Sequence, residues 1–330
     1  MFEKFAVIGS NSFSGSNFID YLLNNSIEVI GISRSSEPDP VFLPYKKNDN
    51  ISFFKFYQLD LNKDLEKIVN LINEIKPDYV VNFAAQGMVA ESWQQPEHWF
   101  QTNTLSSVML HDQLRKCTFL KKYVHVSTPE VYGSCEGLVK ENTIYNPSTP
   151  YAVSRAAADM SLMSFYKNYG FPVVFTRSAN VFGPAQQLYR IIPRTILFFL
   201  LKKKLQLHGG GHSVRSFIHI KDVADGTLKV ARLANPPGIF HFSTSNNISI
   251  RALVEMIAKQ LNISFHDNVE IVSERPGKDT AYLLDNTKAK KVLGWQDKIT
   301  LEQGIEETVK WIRDNLEILS NQNFDYIHKA

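Results

Sequence analysis

The residue types best suited to chemistry lie in one short stretch near the middle of the chain. An apolar run at 123–126 predicts a buried strand, and Thr128 and Glu130 follow it directly. In open α/β sheets, the carboxyl ends of the strands are where sites form. Tyr151 and Arg155 come next, at the i, i+4 spacing that places two side chains on one helix face. The stretch therefore predicts a hydroxyl, a carboxylate, a phenol and a cation in one place.

This set of side chains suits proton transfer. A phenol has a pKa near ~10 and becomes a base at neutral pH only where a positive charge favours the phenolate. Arg155 could supply that charge, and Glu130 could accept a proton of its own. A tyrosine and an arginine at this spacing also occur on solvated helix faces, so the pair alone leaves both interpretations open.

The first elements of the chain favour a dinucleotide site. A strand over 5–8 leads into a glycine turn and then a helix with an apolar stripe. Glycines in such a turn let a pyrophosphate approach the helix N-terminus, although Ser12 stands where a central glycine is usual and an ordinary tight turn remains the alternative. The predicted cofactor residues in this turn are Gly9, Ser12, Phe13, Ser14 and Gly15.

The ends of the next strands extend this prediction. The strand over 28–32 ends in Ser33-Arg34-Ser35-Ser36 instead of the acidic residue that binds a free ribose 2′-hydroxyl. An arginine beside hydroxyls suits a 2′-phosphate, which favours NADP over NAD, with a plain surface loop as the alternative. The full set of cofactor residues predicted beyond the glycine turn is Arg34, Ser35, Asp60, Leu61, Ala84, Ala85, Gln86, Tyr151 and Arg155.

Strands that alternate with helices predict an α/β fold, a Rossmann-type doubly wound parallel sheet. We place the dinucleotide-binding domain, with the catalytic residues, at 1–180. A smaller α/β substrate-binding domain is predicted at 181–330, parts of which are expected to pack back on the first. Helices near 96–116 and 151–168 are apolar on more than one side, which predicts a homodimer, with core burial as the alternative.

Composition excludes several classes of protein. The chain has 330 residues, 44% of them hydrophobic, and a net charge of +3 with scattered basic residues, which argues against nucleic-acid binding. Two cysteines provide no disulfide framework, and no metal-ligand spacing is evident. The longest apolar run, 195–201, is too short to span a membrane. A cytoplasmic setting is expected.

Seven short motifs occur in the order seen in extended short-chain dehydrogenase/reductases, over nearly the whole chain. Each motif alone is weakly specific for the family, but the occurrence of all seven in this order is strongly specific. Within that family the chain resembles the nucleotide-sugar 4,6-dehydratases. The motifs are GSNSFSG, AAQ, STPEVYG, YAVSR, SANVFGP, VRSFIHIKDVA and ERPGKD.

The resemblance implies a tightly bound, recycled NADP or NAD and a nucleotide-diphosphate sugar as substrate. Thr128 and Tyr151 are then expected to hydrogen-bond the sugar 4-hydroxyl, and Glu130 to serve the elimination of water. Arginines suit a diphosphate because their planar fork binds phosphate oxygens bidentately. The substrate residues that the resemblance implies are Gln86, Thr128, Asn180, Arg190, Arg215 and Arg275.

Three positions depart from the family pattern. Arg155 replaces the usual lysine, which keeps the charge but changes the hydrogen-bonding geometry. Pro129 stands where the dTDP-glucose dehydratases carry an aspartate and the GDP-mannose dehydratases a serine. Ser12 in the glycine turn is the third.

We therefore expect a 4,6-dehydratase that converts an NDP-hexose to the 4-keto-6-deoxyhexose. The resemblance of the AAQGMVAESW and STPEVYG segments to the GDP-mannose dehydratases implies a GDP-linked hexose, with GDP-N-acetylglucosamine as one candidate. A 4-epimerase or decarboxylase of the same family is the first alternative. A non-catalytic protein that binds the nucleotide sugar or NADP is the second.

Overall fold

The computed structural model describes residues 3–135, 137–273 and 283–329. Its strands are short, four to six residues in the central sheet and two to six elsewhere. In chain order they are β1 Lys4–Ile8, β2 Glu28–Ser33, β3 Phe54–Gln58, β4 Tyr79–Asn82, β5 Lys122–Val126, β6 Leu138–Val139, β7 Val173–Ser178, β8 Asn180–Phe182, β9 Leu205–His208, β10 Val214–His219, β11 Ile239–Phe242, β12 Asn247–Ser249, β13 Val269–Val272 and β14 Leu283–Leu284.

Helices connect most of these strands. They are α1 Phe13–Asn24, α2 Leu65–Ile75, α3 Pro96–Trp99, α4 Ser107–Leu114, α5 Pro150–Tyr169, α6 Ile191–Leu200, α7 Ile220–Leu233, α8 Ile250–Leu261, α9 Phe265–Asn268, α10 Thr287–Leu293, α11 Leu301–Asp314 and α12 Leu316–Ser320. A π-helical segment, Phe100–Ser106, joins α3 to α4 without a break. None of the helices in the described ranges combines the length and apolar composition that crossing a bilayer needs.

The central sheet is parallel and has seven strands in the order β11-β7-β5-β4-β1-β2-β3. Its strands are nearly continuous apolar runs because helices cover both faces. Helices α1 and α7 pack on one face, and α2, α4 and α5 pack on the other. This arrangement confirms the predicted doubly wound α/β sheet.

The second half of the chain forms a separate apolar cluster around α6, α8 and α11, with two small sheets, β12-β10-β8 and β13-β9. A third small sheet pairs β14 of the second half with β6 of the first half. The second half also contributes to the first half: β11 pairs with β7 as the outermost strand, and α7 packs on α1. The strand over 173–177 is therefore not the edge of the sheet, because β11 lies beyond it. The domain boundary at residue 180 stays a prediction. Both β11 and α7 follow this boundary in the chain but pack on the first half.

Candidate active site

Glu130 lies in a short 3-10 turn, Pro129–Tyr132, just after β5, and Thr128 immediately precedes this turn. Thr128 caps this turn by accepting a hydrogen bond from the Glu130 backbone N–H at 3.3 Å, and its hydroxyl donates to the Glu130 carboxylate. Pro129 takes the first position of the turn, where a missing N–H costs nothing. The residue that departs from the family pattern therefore supports the local backbone shape.

Tyr151 stands in the first turn of α5, which is capped by the Thr149 hydroxyl at 3.2 Å from the Ala152 N–H. Burial raises the pKa of Tyr151 to about 12, and the negative charge of Glu130 adds to this. The charge of Arg155 and a hydrogen bond with Thr128 act in the opposite direction but do not outweigh burial. In this arrangement Tyr151 is a neutral phenol at pH 7.

Arg155 lies one helical turn further on and points into the protein. It is 2% exposed, and its Nη2 donates to the Val126 carbonyl and lies 3.2 Å from His125 Nε2. The sequence predicts that Tyr151 and Arg155 act together on one helix face. The structure agrees in part, because the charge of Arg155 lowers the pKa of Tyr151. The guanidinium group itself belongs to the buried layer beneath β5.

That layer is a polar cluster that we call the catalytic floor: His125, Arg155, Asp159 and Arg177. Asp159 accepts hydrogen bonds from Arg177 at 2.8 Å and from the Ser127 hydroxyl at 2.6 Å, and its other oxygen lies 3.3 Å from His125. Burial and the two arginine charges hold the pKa of His125 well below its usual range, so the imidazole is neutral. Asp159 therefore balances the charge of Arg177 inside the protein.

The predicted dinucleotide turn has the expected close contacts. Gly9 has a φ of +83°, and a Cβ there would lie 2.6 Å from the Ala84 nitrogen. A Cβ on Gly15 would lie 2.3 Å from the Gly9 carbonyl oxygen. Ser12 caps α1: its hydroxyl accepts from the Gly15 N–H at 3.0 Å and donates to the Gly9 carbonyl at 2.7 Å. The turn thus fits a pyrophosphate at the N-terminus of α1, and Ser12 serves it as a helix cap.

A cavity of about 460 Å³ extends from this turn along the ends of β1, β2 and β4. Its volume lies within the range of small-molecule sites. It brings together most of the residues predicted to bind the cofactor, while Phe13, Ser14, Tyr151 and Arg155 line the neighbouring cavity. The predicted residues on its wall are Gly9, Ser12, Arg34, Ser35, Asp60, Leu61, Ala84, Ala85 and Gln86.

A second cavity of about 650 Å³ adjoins the first, since Ser12, Phe83, Ala85, Gln187 and Tyr189 line both. It contains the predicted catalytic residues, all of which lie on its wall. The predicted substrate residues Asn180, Arg190 and Arg215 also line it. Gln86 lines the first cavity instead, and Arg275 lies outside the described residues.

Sequence reasoning missed several residues that shape the site. Asn103, in the π-helical segment, binds the Gln86 backbone on both sides, accepting from its N–H at 2.7 Å and donating to its carbonyl at 3.0 Å. Asn11 donates to the carbonyls of Ser35 and Ser36 at 2.9 and 3.1 Å and so fixes the loop after β2. No local signal marks Asn103, because its neighbours Gln101, Thr102 and Thr104 are polar as well.

Comparison with known proteins places the chain in a family. The model of the family described as GDP-mannose 4,6 dehydratase matches residues 7–308. The chain is 30% identical to dTDP-glucose 4,6-dehydratase of Haemophilus influenzae, over 92% of this chain and 96% of that protein. It is 32% identical to a trifunctional UDP-glucose 4,6-dehydratase/epimerase/reductase of Arabidopsis thaliana, over 83% of this chain but only 41% of that longer protein.

Solved structures agree in fold. The dTDP-glucose 4,6-dehydratase DesIV from Streptomyces venezuelae, solved with NAD, superposes with a TM-score of 0.88 at 27% identity and covers 96% of this chain and 98% of its own. A UDP-glucose 4-epimerase from Thermotoga maritima, solved with UDP-glucose, superposes with a TM-score of 0.86 at 27% identity, covering 95% and 99%. The shared motifs, the fold and these matches together show that the chain belongs to the GDP-mannose 4,6-dehydratase family of extended short-chain dehydrogenase/reductase enzymes.

Proposed function

We propose that this chain dehydrates an NDP-hexose to the NDP-4-keto-6-deoxyhexose. The observation that carries the proposal is Glu130, hydrogen-bonded to Thr128 beside Tyr151 on the wall of the 650 Å³ cavity. Elimination of water across C5 and C6 needs a group that removes the C5 proton once C4 is a ketone, and a carboxylate in this position can do so.

The residues of the first cavity and of the glycine turn fit a nicotinamide dinucleotide. When bound, the nicotinamide would accept the hydride from C4 and return it to C6, so the cofactor ends as it began. The relatives solved with NAD support a dinucleotide of this class. We propose NADP as the preferred form because Arg34 and Ser35 stand where an acidic residue would select NAD, which remains the alternative.

Tyr151 and Thr128 would together take the proton from the sugar 4-hydroxyl. A threonine hydroxyl has one proton to donate, and here it is donated to Glu130. The hydrogen bond between Thr128 and Tyr151 already lowers the tyrosine pKa, but it does not outweigh burial. Turning the Thr128 proton towards Tyr151 would favour the phenolate at the moment the substrate hydroxyl is deprotonated.

Glu130 would then remove the proton from C5. The C5–H electron pair forms the C5–C6 double bond as the C6–O bond breaks, and the proton on Glu130 passes to the departing hydroxyl to give water. Pro129 has no acidic group for this step, so Glu130 both removes the C5 proton and protonates the departing hydroxyl. Hydride addition at C6 and a proton at C5 complete the 4-keto-6-deoxyhexose.

We propose a GDP-linked hexose as substrate, with GDP-N-acetylglucosamine as one candidate. Arg190 and Arg215 line the same cavity as Glu130 and would bind the diphosphate. Asn180 also lines this cavity and donates a 3.1 Å hydrogen bond to the Ser216 carbonyl. The names of the curated relatives contain dTDP or UDP, so the experiment must determine which nucleotide the sugar carries.

The test is incubation of the protein with GDP-, UDP-, dTDP- and CDP-hexoses, followed by mass spectrometry. We expect loss of one water from one of them, with solvent deuterium at C5. Glu130→Gln should abolish the water loss because the amide keeps the shape but accepts no proton. Glu255→Gln, a surface change in an Arg251 ion pair, is the matched control and should leave turnover unchanged.

The epimerase alternative is favoured by one observation, the equal fit of the fold to a UDP-glucose 4-epimerase. An epimerised product has the mass of its substrate. Wild-type turnover without change in mass, or a Glu130→Gln variant that turns over at the wild-type rate, would replace dehydration by epimerisation. Binding without turnover of any sugar would favour the non-catalytic alternative.

We also propose that two copies of the chain pair through the long helices. Apolar side chains remain exposed on the predicted faces, with Leu105 at 52% and Met160 at 63%, and the two helices are in contact through Thr104 and the Ser154 carbonyl at 2.9 Å. A two-fold axis would bury the same patch on both copies. Light scattering should give twice the chain mass, and Met160→Glu should give a monomer.

A further inference from the structure

The last described residues, Phe324 to Lys329, form an extended segment that we call the strap. Exposure alternates along it, as extended backbone requires: Phe324, Tyr326 and His328 are half-buried, and the residues between them are exposed. Every second side chain therefore contacts the body of the protein. The strap runs from the second half of the chain to the ends of β2 and β4, across the first cavity.

The strap is anchored at its start on α6. The Phe324 ring packs edge-on against Phe198, with centroids 5.8 Å apart. Arg194 donates to the Phe324 carbonyl at 2.7 Å and pairs with Asp325 at 3.1 Å. These contacts fix one end of the strap to the substrate side.

The middle of the strap lies over the junction of the two cavities. The Tyr326 ring packs edge-on against Tyr189, with centroids 5.4 Å apart. Tyr189 lines both cavities, and Tyr326, Ile327 and Lys329 line the first. The strap is thus part of the wall of the dinucleotide cavity.

The far end of the strap is held by the first half of the chain. The His328 ring stacks on Trp99, with centroids 4.9 Å apart and planes 8° from parallel, and shares a 2.8 Å hydrogen bond with His98. The Lys329 carbonyl accepts hydrogen bonds from Gln86 at 2.6 Å and from Arg34 at 3.2 Å. These last two side chains are predicted cofactor residues.

We propose that the strap is the outer wall of the dinucleotide site and retains the cofactor by closing over its adenosine half. The inference rests on the proposed cofactor binding. The strap lines the cavity together with the side chains that the cofactor would contact, so a dinucleotide bound in that cavity lies against the strap. Its departure requires the Trp99–His328 stack and the bonds to the Lys329 carbonyl to break.

The test measures cofactor release from the full chain loaded with NADP⁺ or NAD⁺, by stopped-flow displacement. Loss of one aromatic stack in His328→Ala should speed release by roughly two- to tenfold. A chain that stops at Gln322 should release it faster still. His266→Ala, which removes a surface histidine packed on Phe265, is the matched control and should release cofactor at the wild-type rate.

A second readout separates contact with the cofactor from a purely structural role. Chymotrypsin cleaves after aromatic residues, so cofactor should slow cleavage at Phe324 and Tyr326 in the wild type. Release at the wild-type rate from His328→Ala and from the shortened chain, or cleavage that cofactor does not slow, would overturn the strap proposal alone. Failure of the wild type to bind either dinucleotide would overturn the proposed cofactor itself, and the strap proposal with it.

Discussion

The charged groups of the catalytic floor and those at the rim of the dinucleotide cavity are held in opposite ways. In the floor, Asp159 and Arg177 are 0% exposed and bind each other directly. At the rim, Arg34 is partly exposed and binds a carbonyl of the strap, a contact that a ligand can replace. Buried charges are costly to unpair, whereas exposed ones exchange partners at little cost. The floor therefore fixes the geometry of the site, and the rim can contribute to the choice of ligand.

The largest effect that would test this comparison is in the floor. Asp159→Asn removes the charge that balances Arg177 and should lower the free energy of unfolding by roughly 3–5 kcal/mol, as expected for a broken buried pair. Urea unfolding followed by circular dichroism measures it. Asp314→Asn, which breaks an exposed pair with Lys310, should change stability by less than about 1 kcal/mol. Equal effects in the two variants would remove the distinction.

The second prediction concerns acid stability near the floor. His241 Nε2 shares a 2.8 Å hydrogen bond with the Tyr132 hydroxyl, and burial lowers the pKa of His241 to about 3. Between the ordinary histidine pKa near ~6.5 and that value, the unfolded chain binds a proton that the folded chain does not. The stability that neutral His241 contributes is present above pH ~6.5 and is lost as pH falls, at up to about 1.4 kcal/mol per pH unit.

Unfolding measured between pH 6 and pH 4 should therefore show a steeper loss of stability in the wild type than in His241→Gln, by about one proton. His111 and His125 also have lowered pKa values through burial and keep part of the slope in both proteins. His266→Gln, at the surface, should keep the full slope. A wild-type slope in His241→Gln would show that the buried imidazole is already protonated.

The third prediction concerns the rim. Arg34→Asp should shift preference from NADP towards NAD by roughly tenfold or more, because the carboxylate repels a 2′-phosphate and accepts hydrogen bonds from a free 2′-hydroxyl. Binding titrations with both dinucleotides measure it, and Arg313→Asp on α11 is the distant control. Equal affinity of the wild type for both forms would rule out the proposed selection, and an unchanged ratio in the variant would remove Arg34 from it.

The smallest predicted effect links the floor to the chemistry. The charge of Arg155 lowers the pKa of Tyr151. Arg155→Met removes this charge and should raise the pKa of Tyr151 by about one unit. The alkaline-rising limb of the rate profile should shift to higher pH by the same amount. Arg155→Lys keeps the charge and should keep the limb in place. A profile that does not move in the methionine variant would confine Arg155 to a structural role.

Local patterns in the sequence predicted much of this fold. The apolar period at 250–261 predicts the helix that the structure shows as α8, Ile250–Leu261. Polar residues after strands predicted which side chains meet, because parallel strands all end at one edge. These features depend on residues close in the chain, and so the sequence displays them directly.

Long-range contacts carry no such local signal. The Gln86 side chain meets the Lys329 carbonyl across 243 positions, and β11 joins the sheet beside a strand more than sixty residues earlier. The orientation of Arg155 was equally hidden, because helical spacing fixes the face of a residue but not whether its long side chain turns towards the Val126 carbonyl. The hydrogen-bond acceptor decides the direction of the Arg155 side chain, and this acceptor lies on another element, β5.

The π-helical segment Phe100–Ser106 carries a constraint on chain length. Asn103 binds both backbone groups of Gln86 and also donates to the Ser154 hydroxyl at 3.0 Å, so one residue joins the loop after β4 to α5. In an α-helix each residue turns the chain by about 100°. Deleting one residue here would make the helix regular and rotate α3, with Trp99, by about that angle relative to α4. The geometry of the site therefore depends on the number of residues in this helix as well as on the identity of its side chains.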